Sequence, residues 1–280
     1  MESNTIDTGE TREVVQRLRR DLVKAGGTLG IDEARYLVDA YYQIQDNRKA
    51  AGGQIAAVVK AGEPHEVLRW LFDQDVTIEG QIKRVLAVWT DTIPAAVWAK
   101  SIVGIGPVLS AGLAAHIDIT KAPTAGHIWR FAGLDPTVEW LPKTKRPWNA
   151  ALKTLCWKVG ESFVKVSGNE HDFYGKLYLQ RKAIEQARND SGALADQAAA
   201  KLKKFKIGKA TDAYRAYSSG KLPPAHVHAR AKRWVVKLFL AHYQEVAWTL
   251  ATGTAPPKPY VISILGHADY IAPPNWGGSL

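Results

Sequence analysis

Residues 98–136 read WAKSIVGIGPVLSAGLAAHIDITKAPTAGHIWRFAGLDP, and their punctuation decides the fold. Gly104 and Gly106 flank Ile105. Lacking a Cβ, these glycines permit the φ values of a tight turn and let other groups come close to the backbone. Pro107 stands where a first helical residue belongs, because its missing N–H is not needed there. Ala111, Gly112, Ala114 and Ala115 follow, so this helix can lie close against a neighbour. Pro123-Thr124 opens a further helix with Thr124 at its N-cap. Gly133 and Pro136 then stand in stop positions. The stretch predicts helix, Gly-Ile-Gly hairpin, helix, connector and short helix. Two readings of the hairpin stay open. It is a tight turn between core helices, or a helix start whose outward N–H groups bind phosphate.

Outward from this block the periodicity stays helical. An amphipathic helix over 11–25 places Val15, Leu18 and Leu22 on one face. A long helix follows over 32–60. The next, over 65–89, carries Ile78, Ile82, Val85 and Trp89 at spacings of four, three and four, which is a coiled-coil seam. An antiparallel pair within one chain and a dimer between two chains use the same residues. C-terminal to the block, WLPKTKRPW (140–148) is a turn-rich segment in which two tryptophans bracket three cations. Helices are predicted over 149–166, 172–189 and 194–205. Residues 207–222 read as a basic loop with a helical turn. Pro223-Pro224 starts a last long helix to about residue 250, with a broad apolar stripe. The predicted fold is all-α. It comprises a helical coiled-coil region at 1–91, a hairpin core at 92–167, a basic helical region at 168–252 and an irregular tail at 253–280.

The 280 residues are 46% hydrophobic and include ten tryptophans, most of them expected in the core. The single cysteine, Cys156, excludes an internal disulfide framework. No run approaches the roughly 18 apolar residues of a membrane span. The first residues carry no basic and apolar leader pattern. The expectation is a cytoplasmic protein with no membrane contact. The net charge of +10 is unevenly spread. Residues 201–237 hold eleven Lys and Arg against Asp212 alone. A second cluster comprises Lys143, Lys145, Arg146, Lys153 and Lys158. One-signed charge this concentrated tracks a polyanion.

GIGPVLSAGLAAHIDI followed by TAGHIWRFAGLDP resembles the C-terminal region of DEDD-type insertion-sequence transposases and Piv-type DNA invertases. It also resembles the Nop domain of box C/D ribonucleoproteins, in which a Gly-Pro-containing helix of small residues precedes a helix entered at Pro-x-Thr and an Ala-Gly turn. Both place a long helical coiled-coil segment in front. The Tas proteins of tandem interspaced guide RNA systems are similar to both. The resemblance extends in order from Ile78 to Leu250. It implies a Nop-like core and a protein that holds a structured guide RNA, recognises target DNA by base pairing and pairs with a second copy through the coiled coil. In that class the protein reads shape and backbone while pairing reads sequence.

The catalytic parts of the resembled transposases have nothing to map onto. A ribonuclease-H-like nuclease needs strands whose ends carry metal-bridging carboxylates. The acids Asp32, Glu33, Asp39 and Asp46 instead lie on helical segments. Where those transposases use a serine after the Ala-Gly-Leu-x-Pro block, this chain reads from Thr137 to Thr144 without one, and only Thr137 or Thr144 could substitute. His226-x-His228 lacks the Cys or carboxylate partners of a zinc site, and His116, His127 and His242 read as core or phosphate-facing groups. Asn149 and Asn189 read as cap and turn residues. No catalytic residue, metal or cofactor is expected. The expected nucleic-acid contacts are the backbone at Gly104, Ile105 and Gly106, with Thr124, His127 and Arg130 on the neighbouring helix. Lys143, Lys145, Arg146, Lys153, Lys201, Lys203, Lys204, Lys206, Arg230 and Arg233 complete the set. The alternative is a transposase- or recombinase-derived DNA binder whose nuclease is supplied by a partner.

Overall fold

The structure, a computed structural model, describes residues 17–62, 66–257 and 270–277. The described residues form eleven α-helices and two short 3-10 turns with no strand, the all-α class that the periodicity dictates. Contacts divide the chain into two compact units, Met1–Trp89 and Thr90–Leu280.

In the first unit, α1 (Arg20–Ala25) leads through a 3-10 turn (Gly26–Thr28) into α2 (Ile31–Lys60) and α3 (Glu66–Asp91). Val23 is buried, whereas Leu18 and Leu22 are exposed, so the face expected for the first helix is not its core face. Val15 and the rest of 1–16 lie outside the described residues. α2 and α3 run antiparallel. Gly52 faces the Phe72 ring, and Arg48 Nε meets Glu79 Oε2 at 2.6 Å. Trp89 Nε1 donates to the Leu29 carbonyl at 3.0 Å. The C-terminal half of the seam is therefore occupied within the chain, with Val85 and Trp89 buried and Val85 against Gly26, while Ile78 and Ile82 are half-buried.

The second unit contains α4 (Pro94–Lys100), α5 (Pro107–His116), a 3-10 turn (Ile119–Lys121), α6 (Ala125–Phe131), α7 (Ala150–Val166), α8 (Tyr174–Asp190), α9 (Ala195–Lys204), α10 (Asp212–Ser218) and α11 (Pro224–Thr252). The last helix is the centre, touching α4, α6, α7 and α8. Phe239 of α11 stacks on Trp98 at 6.0 Å and meets Phe163 and Tyr174 edge-on at 5.3 Å each. The division expected between residues 167 and 168 thus runs through one shared core. Residues 207–222 contain α10, and Leu222 is buried with Leu194, Ala198 and Val227. Asn189, expected as a turn residue, is 3% exposed and clamps Leu222 with both amide atoms, at 2.7 and 2.9 Å. Of the tail, 258–269 and 278–280 lie outside the described residues. No helix among the described residues is long and apolar enough to cross a membrane.

The hairpin at 104–106 packs against α7. Gly104 has φ of 95°, which an L side chain resists, and its carbonyl accepts from Ser162 Oγ. Ile105 is buried, and its N–H donates to the Ile102 carbonyl at 2.9 Å. Of the three backbone N–H groups expected to meet phosphate there, that of Ile105 is already satisfied. Gly112, further along α5, lies against Leu155 of α7.

His242 is a core histidine, held between the Tyr174 hydroxyl at Nδ1 (2.7 Å) and the Ile271 carbonyl at Nε2 (2.7 Å). A carbonyl only accepts, so Nε2 carries the proton and Nδ1 accepts from the tyrosine. Burial pushes the imidazole down to about 4, partly offset by the Ile271 carbonyl. The unfolded chain takes up this proton near pH 6.5 and the folded chain resists it, so stability falls as pH drops from 6.5 towards 4. The loss from this group is expected to reach about 3 kcal/mol at the low end. Urea unfolding at pH 7.5 and pH 5 reads it, and His242→Gln, which cannot charge, should flatten that dependence.

Candidate nucleic-acid interface

The segment 140–148 is a built loop. α6 ends at Gly133 in the left-handed region, with φ of 64°. A Cβ there would lie 2.7 Å from Trp148 Cγ, so the indole rests on bare backbone. Asn149 N donates to the Phe131 carbonyl at 2.9 Å and fixes the loop's far end. The Asn149 side chain caps α7 by accepting from Leu152 N at 2.9 Å, the cap role expected of it. Trp140 meets Trp148 edge-on, 6.2 Å between centroids at 75°, and its Nε1 donates to the Thr144 carbonyl at 2.8 Å. Lys143 takes φ of 64° at the turn.

Cations stand on these rings. The Arg146 guanidinium lies 4.9 Å from the Trp140 centroid, and Lys153 Nζ lies 3.9 Å from that of Trp148. Lys237 Nζ lies 4.1 Å from the Trp129 centroid, while Trp129 Nε1 donates to the Lys237 carbonyl at 2.9 Å. Burial holds the Lys153 ammonium below its ordinary range, and Arg233 and Arg146 push it further down. Lys237 is lowered by burial and by Arg233, against the pull of Asp135. His226 is lowered by burial and then by Lys201, Arg230 and Arg233. The Arg233 charge thus acts on Lys153, Lys237 and His226 alike, and Arg146 acts on Lys153.

The remaining expected residues divide. Lys143, Lys145, Lys203 and Lys206 are exposed. Lys204 pairs with Glu139 at 3.0 Å, both well exposed, a contact worth little. Thr124 Oγ1 and His127 Nδ1 bond each other at 2.9 Å, and Arg130 is exposed on the same helix. Ile105 is removed from the set by its burial and its occupied N–H. The 104–106 hairpin touches Ser162 and Val166 near the end of α7, whereas Lys153 stands in its first turn. At about 1.5 Å per residue the two sites are more than 10 Å apart. Arg230 is also corrected. Its Nε pairs with Glu185 Oε2 at 2.7 Å, and Nη1 donates to Gln197. Glu185, 1% exposed, also holds Arg181, with Arg188 at 3.7 Å. Burial raises its carboxyl, but Arg230 and Arg181 outweigh that and hold it low.

The sequence does not predict this hub, and it predicts Lys237 only as one of the basic residues of 201–237. Arg181, Glu185 and Arg188 stand at i, i+4 and i+7 on α8, a spacing visible in the sequence. Arg230 joins only through tertiary packing. The expectation that most tryptophans are core is overturned. Among the described residues Trp89 and Trp98 are buried, Trp70, Trp140 and Trp157 are exposed, and Trp129, Trp148, Trp234, Trp248 and Trp276 are half-buried. The His226 and His228 rings bond the Tyr217 and Tyr178 hydroxyls, at 3.1 and 2.7 Å. No group of three His, Cys, Asp or Glu that could hold a metal occurs among the described residues.

The fold and site define an all-α protein with a basic, tryptophan-studded face. Residues 98–146 match the family model of the Transposase IS116/IS110/IS902 family. Over that block, from α4 to the basic loop, the chain is related to transposases. No curated protein and no solved structure matches the chain.

Proposed function

We propose that this protein binds a structured guide RNA through the basic face of its second unit and uses it to recognise DNA, with no catalysis of its own. The observation that carries the reading is the crowding of Arg146, Lys153, Arg233 and Lys237 beside Trp140, Trp148 and Trp129. Cations meet phosphates and rings meet bases. Lys143 and Lys145 extend this face, as do Lys201, Lys203 and Lys206. Gly104, Gly106, Thr124, His127 and Arg130 form a separate, smaller set of proposed contacts. The absence of catalysis is supported by how the candidate groups are engaged. Thr137 Oγ1 donates to Asp135 at 2.7 Å, and Thr144 Oγ1 to the Leu141 carbonyl at 2.8 Å. Asp32 and Asp46 pair with arginine and lysine along α2. A homodimer in the cytoplasm completes the proposal. Val67, Trp70 and Leu71, exposed on α3, support pairing there, because Val85 and Trp89 of the seam are buried within the chain.

The transposase match favours a second reading, a DNA binder that acts with a separate catalytic partner. Sequencing the nucleic acid that co-purifies from a host carrying the native locus separates the two. A discrete short RNA of uniform length supports the first, and heterogeneous DNA without defined RNA supports the second. Changing Lys143, Lys145 and Arg146 together to Glu should weaken RNA binding at least about tenfold and flatten its salt dependence. Unchanged affinity and slope would remove the loop from the site.

A further inference from the structure

We infer that the Trp140–Trp148 loop is a stacking subsite for an unpaired nucleobase of the bound strand, with Trp140 as its platform. The inference rests on the nucleic-acid-binding reading above and adds which part of the ligand the loop takes. Trp140 is 48% exposed and Leu141 60% exposed, so apolar surface is presented to water at the tip. The ring is nevertheless held. Its N–H is bonded to the Thr144 carbonyl, and one edge rests on Trp148. Trp148 in turn is seated on Gly133. The turn is closed by Thr144 N on the Leu141 carbonyl at 3.3 Å, with Lys143 in the left-handed region. A side chain left exposed yet fixed in place is organised for a ligand rather than for the core.

The surroundings identify that ligand. Every charged residue from 141 to 148 is a cation, and the nearest acid along the chain, Glu139, is paired with Lys204. An apolar ring with three cations on its C-terminal side matches a polyanion that also carries flat apolar faces. In a duplex those faces are stacked on neighbouring pairs, whereas an unpaired base offers its face freely. Arg146 occupies the ring in the structure. A guanidinium over an exposed ring is held weakly. The base takes its place, and the released Arg146 meets the adjoining phosphate, with Lys153 and Arg233 behind it.

The test uses the full chain with three fluorescent probes: oligo(U), oligo(dT) and a duplex of the same length. Trp140→Ala is expected to lose about tenfold in affinity for the single strands while duplex binding changes less than about twofold. Trp140→Phe, which keeps a ring, should retain most of the affinity. A loss on oligo(U) alone identifies the strand as RNA, and a loss on both single strands leaves the sugar unselected. Either supports the subsite. Single-strand binding that is indifferent to Trp140, or a loss equal on all three probes with unchanged thermal unfolding, overturns it and leaves the wider reading standing. Wild-type protein that binds none of the probes overturns both.

Discussion

Gly175→Ala is expected to give a protein whose second unit no longer folds cooperatively. Gly175 begins α8 where it crosses the end of α7. An added Cβ would lie 2.6 Å from the Phe163 carbonyl oxygen and 2.6 Å from Ser167 Cα, and would also strike the Asp172 carboxylate. Two of these are backbone atoms and cannot rotate away. Asp172, 3% exposed, accepts from Gly175 N at 3.0 Å and Lys176 N at 2.9 Å, so relief by moving that carboxylate strips the helix cap. If α8 moves instead, Tyr174 leaves its stack on Phe163 (4.8 Å) and its bond to His242. Tyr174 is fully buried, so its displacement opens the centre of the unit. Overpacking and lost burial together cost about 4 kcal/mol or more. Urea unfolding followed by circular dichroism measures this. Gly168→Ala, with nothing within 4 Å of the added methyl, is the control. A G175A protein unfolding within about 1 kcal/mol of the unaltered chain would mean that α8 does not sit as described.

Changing Lys153 and Arg233 together to Glu is expected to weaken nucleic-acid binding about a hundredfold or more at moderate salt. These two cations come from α7 and α11, and the Arg233 charge helps hold down Lys153, Lys237 and His226. They are the point where the basic groups meet. The paired change matters, because a single glutamate at 153 would find Arg233 as a partner. With two phosphate contacts gone, the slope of log K against log salt should fall by roughly 1.5 to 2. Lys49→Glu with Lys60→Glu alters net charge equally on the other unit and should change affinity less than about threefold. Equal losses in the two double variants would show that overall charge, rather than a site, attracts the nucleic acid.

The sequence by itself determined the secondary structure and the sign of the surface. Apolar spacing of three and four residues is a local property, so the long helices, Pro107 at a helix start and Pro224 opening α11 could be placed without tertiary information. Cys156 is buried, with its thiol pushed up to about 12, on the side of α7 that its periodicity assigns to the core. The excess of cations over 201–237 needed only counting. Tertiary structure decided which of those charges act together. Arg146, Lys153, Arg233 and Lys237 converge because α11 lies against α6 and α7, and a helical stripe says which face is buried without naming its partner. The same limit explains Arg230, a phosphate candidate by charge that is bound to Glu185 of another helix. It also explains the 104–106 hairpin, where glycine content fits a phosphate loop and a packed turn equally well. The meeting with Ser162, a residue distant in the chain, and the occupied N–H that removes Ile105 from the contacts both come from the folded turn. Burial of tryptophan was misjudged for a related reason. Hydrophobicity favours burying an indole, but whether a helix or loop offers it a second layer depends on elements distant in the chain.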